Sequence, residues 1–232
     1  MGVDIFSVFS HNLSIDQALN FPKLIDSWKD IKKLKQELKS VHEIDHNYAK
    51  TAKWMAEKEI NNSALSTLWD AYESGNAFGP KVAGIDNIIE CFLGWFRIYR
   101  HSIRIVHWPE HKYANIFDPK TAVKIFTINR AIAKKFNASQ ILYYPDSGIP
   151  TAWLDDYISE GKTVDEVIRI GIELFGMPPS NLDDGRNYMF FIDNINNEIE
   201  SLTEINDWEK YWKYDETIKD YINPKTNMKI IR

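Results

Sequence analysis

The residues whose spacing comes nearest to specifying a reaction are His42-Glu43-Ile44-Asp45-His46. On a helix, positions i and i+4 share a face, so His42 and His46 can reach one metal ion while Glu43 polarises a metal-bound water. The chemistry would be hydrolysis of a peptide bond. Such a centre needs a third protein ligand. Downstream the sequence offers only arbitrary candidates, Glu57, Glu59 and Glu73, so a solvated histidine pair is the plainer reading.

The same five residues match the His-Glu-x-x-His pattern and so resemble zinc metallopeptidases. That resemblance implies zinc as cofactor, His42 and His46 as its ligands, and Glu43 as general base. Asp45 departs from it, since that position is usually uncharged in the family. The lysine-rich flanks also differ from the family's buried helix. Neither an extended Gly-and-His signature nor an Asn-Glu partner motif follows.

Other groups carry weaker chemistry. His107 and His111 have the same spacing, but Pro109 between them opposes a helix that presents both to a metal. Asp146 and Ser147 sit at a turn after the clearest strand, where α/β folds often place functional groups. Asp and Ser also bond local backbone in turns, and that reading weighs more. The doublets Asp155-Asp156 and Asp183-Asp184 point their carboxylates in different directions on regular structure and read as solvated acids. No phosphate-binding loop, dinucleotide fingerprint, nucleophile elbow, Cys-x-x-Cys pair or calcium loop is present.

Charge narrows the partners. The net charge is -5, distributed unevenly: 16 acids stand against 19 Lys plus Arg in residues 1–150, and 17 against 9 in residues 151–232. An acidic C-terminal third does not favour nucleic acid. The run Asp183, Asp184, Glu198, Glu200, Glu204, Asp207 and Glu209 is the surface suited to a basic protein partner. No apolar run approaches the ~20 residues that span a bilayer, and no basic leader precedes an apolar core. A single cysteine, Cys91, excludes an internal disulfide framework and reads as a buried thiol. Together these features predict a cytoplasmic protein with neither membrane nor nucleic-acid partner.

The elements that would position these groups are clearest between Lys124 and Gly176. Ala122, Ile125, Phe126, Ile128, Ile132 and Phe136 recur at helical spacing. Gln140 to Tyr144 reads as a buried strand. A helix from Ala152 to Glu160 follows, capped by Thr151, with Trp153, Leu154 and Tyr157 inward and Gly161 beyond its end. Thr163 to Glu166 is a capping box opening another helix, with Val164, Val167, Ile168, Ile172 and Phe175 inward.

Upstream, Val3 to Ser10 reads as a strand and Ser14 with Gln17 as a capping box. A helical stripe then runs through Leu24, Trp28, Ile31 and Leu38, with a solvated lysine face. Helical character continues to Tyr72, and the glycines between 75 and 84 mark a break. Residues 88–94 are compatible with helix. Trp95 to Trp108 predicts a hairpin whose alternation places Arg97, Tyr99, Ile103 and Ile105 partly on one side, with the register left open. Downstream, Tyr188 to Asp193 reads as a strand. A helix stripe from Ile195 to Trp212 follows, and a last strand is expected over Met228 to Ile231.

The fold expected is α+β: a helical N-terminal third, and helices packed on a central sheet that includes a β-hairpin. The chain reads as one domain, 1–232, subdividing into a mainly helical segment, 14–75, and a β-containing segment, 82–214. The strand-turn-helix run ILYYPDSGIP and the helix ending FGMPP, with abundant aromatics and the acidic C-terminal third, resemble the general character of bacterial immunity proteins. That resemblance implies a non-enzymatic protein that neutralises a toxin by covering its active site or substrate groove. The competing readings are the zinc hydrolase and an assembly protein that oligomerises through aromatic surface.

Overall fold

Alternation at Ile5, Ser7 and Phe9 on one side and Phe6 and Val8 on the other makes the first strand able to be buried on both faces. In the computed structural model it is, as β1 (Ile5–Ser10), near the middle of a seven-stranded sheet. The structure describes residues 4–37, 51–54, 88–107, 119–146, 149–175, 190–197, 213–217 and 220–222. The expected helical character at 48–50 and 55–72, the break at 75–84, the helix stripe beyond 197 and the strand at 228–231 lie outside them.

The strands are β1, β2 (Lys53–Trp54), β3 (Ile88–Cys91), β4 (Gly94–Ile98), β5 (Ser102–His107), β6 (Gln140–Pro145) and β7 (Phe191–Asn194). Their order is β2-β3-β4-β5-β1-β6-β7, and every pairing is antiparallel. β8 (Lys213–Asp215) and β9 (Asp220–Ile222) form a separate ribbon. The helices are α1 (Ile15–Leu19), α2 (Phe21–Ser27), α3 (Lys29–Glu37), α4 (Pro119–Lys134), α5 (Ile149–Ser159) and α6 (Val164–Phe175). The fold is therefore α+β.

The helices divide between the two faces of the sheet. One face buries Ile5, Phe9, Phe96, Ile103, Ile105, Ile141 and Tyr143 against apolar residues of α1 to α4. Phe21 is at its centre, with ring centroids 5.8 to 6.2 Å from Phe96, Phe136 and Trp28. The opposite face buries Val8, Leu142 and Tyr144 against Leu154 and Ile158 of α5 and Val164, Val167 and Ile168 of α6. Two-sided burial explains why β6 reads as a continuous apolar run.

Helix ends follow the capping chemistry expected from sequence. Ser14 and Gln17 bond reciprocally, and so do Thr163 and Glu166. After α5 the chain leaves through Gly161 at φ 81°, where the amide of Lys162 reaches the Tyr157 carbonyl at 3.1 Å and that of Gly161 reaches Ile158 at 3.0 Å. This paired arrangement satisfies carbonyls the helix cannot, and its left-handed residue favours glycine. Asn137, at φ 57°, plays the same part after α4.

The helical character expected through Ala52 and Trp54 is overturned, because Lys53 and Trp54 extend as β2 and pair with Glu90 and Ile89 of β3; four further expectations are corrected. The segment around Ile88 is strand β3, because Ile89 and Cys91 alternate into the core opposite Phe96 and Gly94. In the hairpin, Arg97 and Tyr99 lie with Arg104 on the α5–α6 side, whereas Ile103 and Ile105 point to the other face. α5 begins at Ile149, which places Thr151 inside the helix rather than at its cap. Trp153 points outward and is 49% exposed, while Leu154 and Ile158 carry the buried stripe.

Candidate functional site

Strand β5 sets a charged residue between two isoleucines, and alternation sends Arg104 to the face opposite Ile103 and Ile105. Arg104 is only 6% exposed, so its charge must find partners inside the protein. Its Nη1 donates to Oδ1 of Asp155 on α5, and the Tyr144 hydroxyl donates to the same oxygen at 3.1 Å. The guanidinium lies 4.5 Å from the Phe6 ring centroid and 5.5 Å from that of Tyr99. Arg97 faces Arg104 directly across β4 and β5.

Asp155 is thus no solvated acid. It joins α5 to the sheet through two donors, while its neighbour Asp156 is exposed. Burial by itself would lower the pKa of Arg104, but Tyr99, Tyr144 and Asp155 hold it above the usual value. Burial raises the pKa of both Tyr99 and Tyr144, so they are neutral phenols at physiological pH. The cluster positions a fixed guanidinium among aromatic faces and contains no activated nucleophile.

The other face has its own ion pair. Arg130 of α4 grips Asp193 of β7, with Nε at 2.9 and 3.1 Å from the two carboxylate oxygens and Nη2 at 2.5 Å from Oδ1. Its Nη1 donates to the Asn197 carbonyl at 2.5 Å. Burial raises the Asp193 pKa, and Arg130 opposes that rise. Nearby, the Asn129 amide donates to the Ser7 hydroxyl at 3.0 Å, satisfying the one polar side chain that β1 sends into this face.

His11 is a structural joint. The Leu13 amide donates to its Nδ1 at 3.0 Å, so that nitrogen is an acceptor and the proton resides on Nε2, 2.7 Å from the Tyr99 carbonyl. Desolvation lowers its pKa, the Tyr99 carbonyl opposes this, and nearby His101 lowers it further. Cys91 is buried, and desolvation pushes its thiol up to about 12. It is a packed side chain with no reactive character.

Of the other residues singled out from sequence, His107 ends β5 while His111 lies outside the described residues, and Asp146 is described. It closes the end of β6 on the start of β1: its Oδ1 accepts the Asp4 amide at 2.9 Å, and its own amide donates to the Asp4 carbonyl at 3.0 Å. That is turn and strand-end chemistry. Ser147, His42, Glu43 and His46 lie outside the described residues, as do Asp183, Asp184, Glu198, Glu200, Glu204, Asp207 and Glu209. Among the described residues no group of three or more His, Cys, Asp or Glu could hold a metal ion. Nor is any described helix long and apolar enough to cross a membrane.

The Arg104 cluster was not singled out from sequence. Its partners are 51 residues apart, beyond any local spacing rule. The signal available was the arginine inside an apolar strand.

Among the described residues, an antiparallel sheet covered by helices on both faces, with a buried arginine paired to an aspartate on each, defines the class of architecture. Comparison of the chain with models of known families, with curated proteins and with solved structures finds no match.

Proposed function

We propose that this chain is a non-enzymatic protein-binding protein that neutralises a partner by direct contact, as bacterial immunity proteins neutralise a toxin. The observation that carries the reading is tryptophan left facing solvent. Trp95 on β4 is 38% exposed, opposite Val106 and Glu90 on the neighbouring strands, and Trp153 on α5 is 49% exposed. Tryptophan and arginine are the residue types that most often anchor protein interfaces, and Arg97 stands two residues from Trp95 on the same face. The acidic C-terminal third adds the charge that would steer a basic partner into contact.

The test is co-expression in a bacterial host with a toxic protein encoded in the neighbouring gene, followed by direct titration of the two purified proteins. The reading expects restored growth and saturable binding. It expects Trp95→Ala to weaken that binding at least tenfold, as truncation of an interface anchor does. Absence of both rescue and binding contradicts it.

A further inference from the structure

The hydrogen-bond ledger around Arg104 does not close. Its acceptor among the described residues is Asp155, reached through Nη1, and Nε, on the opposite edge of the guanidinium, is buried with no acceptor. Two hydroxyls on the same side of the β4–β5 hairpin are in the same condition. The Ser102 hydroxyl is fully buried with no partner, and that of Tyr99 lies beside the Arg97 guanidinium without reaching hydrogen-bond geometry. A buried donor without an acceptor costs about 1–3 kcal/mol, more when charged, so native proteins rarely leave several together.

We propose that this cluster is a receptor for a small oxyanion, of the phosphate, sulfate or carboxylate class, held by the Nε edge of Arg104 with the Tyr99 and Ser102 hydroxyls. Two features select an anion over water. The vacant edge of Arg104 is the edge that takes two oxygens of one oxyanion in parallel. The Phe6 and Tyr99 rings fix the plane of the guanidinium, so little freedom is lost on binding. Asp155, about a third exposed, and half-buried Arg97 mark the solvent side from which a small ion enters. This site is independent of the protein-binding reading.

The test is isothermal titration of the whole chain with inorganic phosphate, sulfate and malonate, each against sodium chloride of equal ionic strength. Arg104→Lys and Tyr99→Phe are run in parallel, and folding is checked by circular dichroism. The expectation is saturable binding of at least one of the three at a single site. Tyr99→Phe should weaken it about tenfold, the value of one hydrogen bond to a charged group, and Arg104→Lys should abolish it. If Arg104→Lys does not fold, Tyr99→Phe decides. No saturable binding to any of the three, or affinity unchanged in folded Tyr99→Phe, overturns the proposal.

Discussion

Replacing Arg130 by methionine tests how the α4 face is held to the sheet edge. Arg130 is 7% exposed at the side chain and Asp193 not at all, so the substitution leaves a carboxylate inside the protein with its counter-ion gone. Breaking such a pair from one side costs about 3–5 kcal/mol. For a chain of this size that corresponds to a fall in melting temperature of roughly 6–20 °C. The loss is pH-dependent, because the stranded Asp193 can take up a proton. Its folded pKa, already raised in the wild type, rises further without Arg130. A carboxyl whose folded pKa exceeds its unfolded value of about 3.9 contributes stability below that value and loses it as pH rises toward the folded pKa. The penalty in Arg130→Met is therefore smallest near pH 4 and largest at neutral pH. Urea denaturation of both proteins across that range measures it, and Arg130→Met with Asp193→Leu should recover most of the loss by removing the unpaired charge. A cost below about 1 kcal/mol at pH 7, or one that does not change with pH, would refute this reasoning.

Three shorter predictions concern other groups. The folded pKa of His11 lies below its unfolded value of about 6.5, so its contribution to stability is complete above that pH and lost as pH falls toward the folded pKa. In His11→Gln the acid-side loss should shrink to what His101, also shifted down by burial, contributes; an unchanged profile excludes His11 as its source. Cys91 should react with a thiol reagent at neutral pH only as fast as the protein opens, and rapid labelling of the native protein would contradict its burial. Protein purified without chelator or histidine tag should carry no stoichiometric zinc. Near-equimolar zinc that disappears in His46→Ala would replace the binding proposal with hydrolase chemistry at His42, Glu43 and His46.

Much of the fold was legible because its signals are local. The capping residues Ser14, Gln17, Thr163 and Glu166 act within one turn, and Gly161 acts at its own φ. What escaped depends on distant partners. β1 finds its neighbours at residues 102–106 and 142–145, and no pattern within β1 says so. The hairpin faces were misassigned because the turn at Arg100 and His101 sets the register, and counting alternation through it loses the phase. Trp153 was placed inward on hydrophobicity, although the helical phase set by Leu154 and Ile158 turns it outward. Asp155 looked like one of two equivalent acids until β5 supplied Arg104. The zinc-binding pattern and the acidic run were sequence readings that the described residues do not reach.

The most direct test of the central claim is the association rate of the purified chain with the partner the proposal requires, a toxic protein captured by co-expression rescue, at low and high salt. The comparison is a variant in which Asp183, Asp184, Glu198, Glu200, Glu204, Asp207 and Glu209 are neutralised. The account predicts fast association at low salt, slowed about tenfold or more by neutralisation and by added salt alike. Association that neither change alters would contradict it.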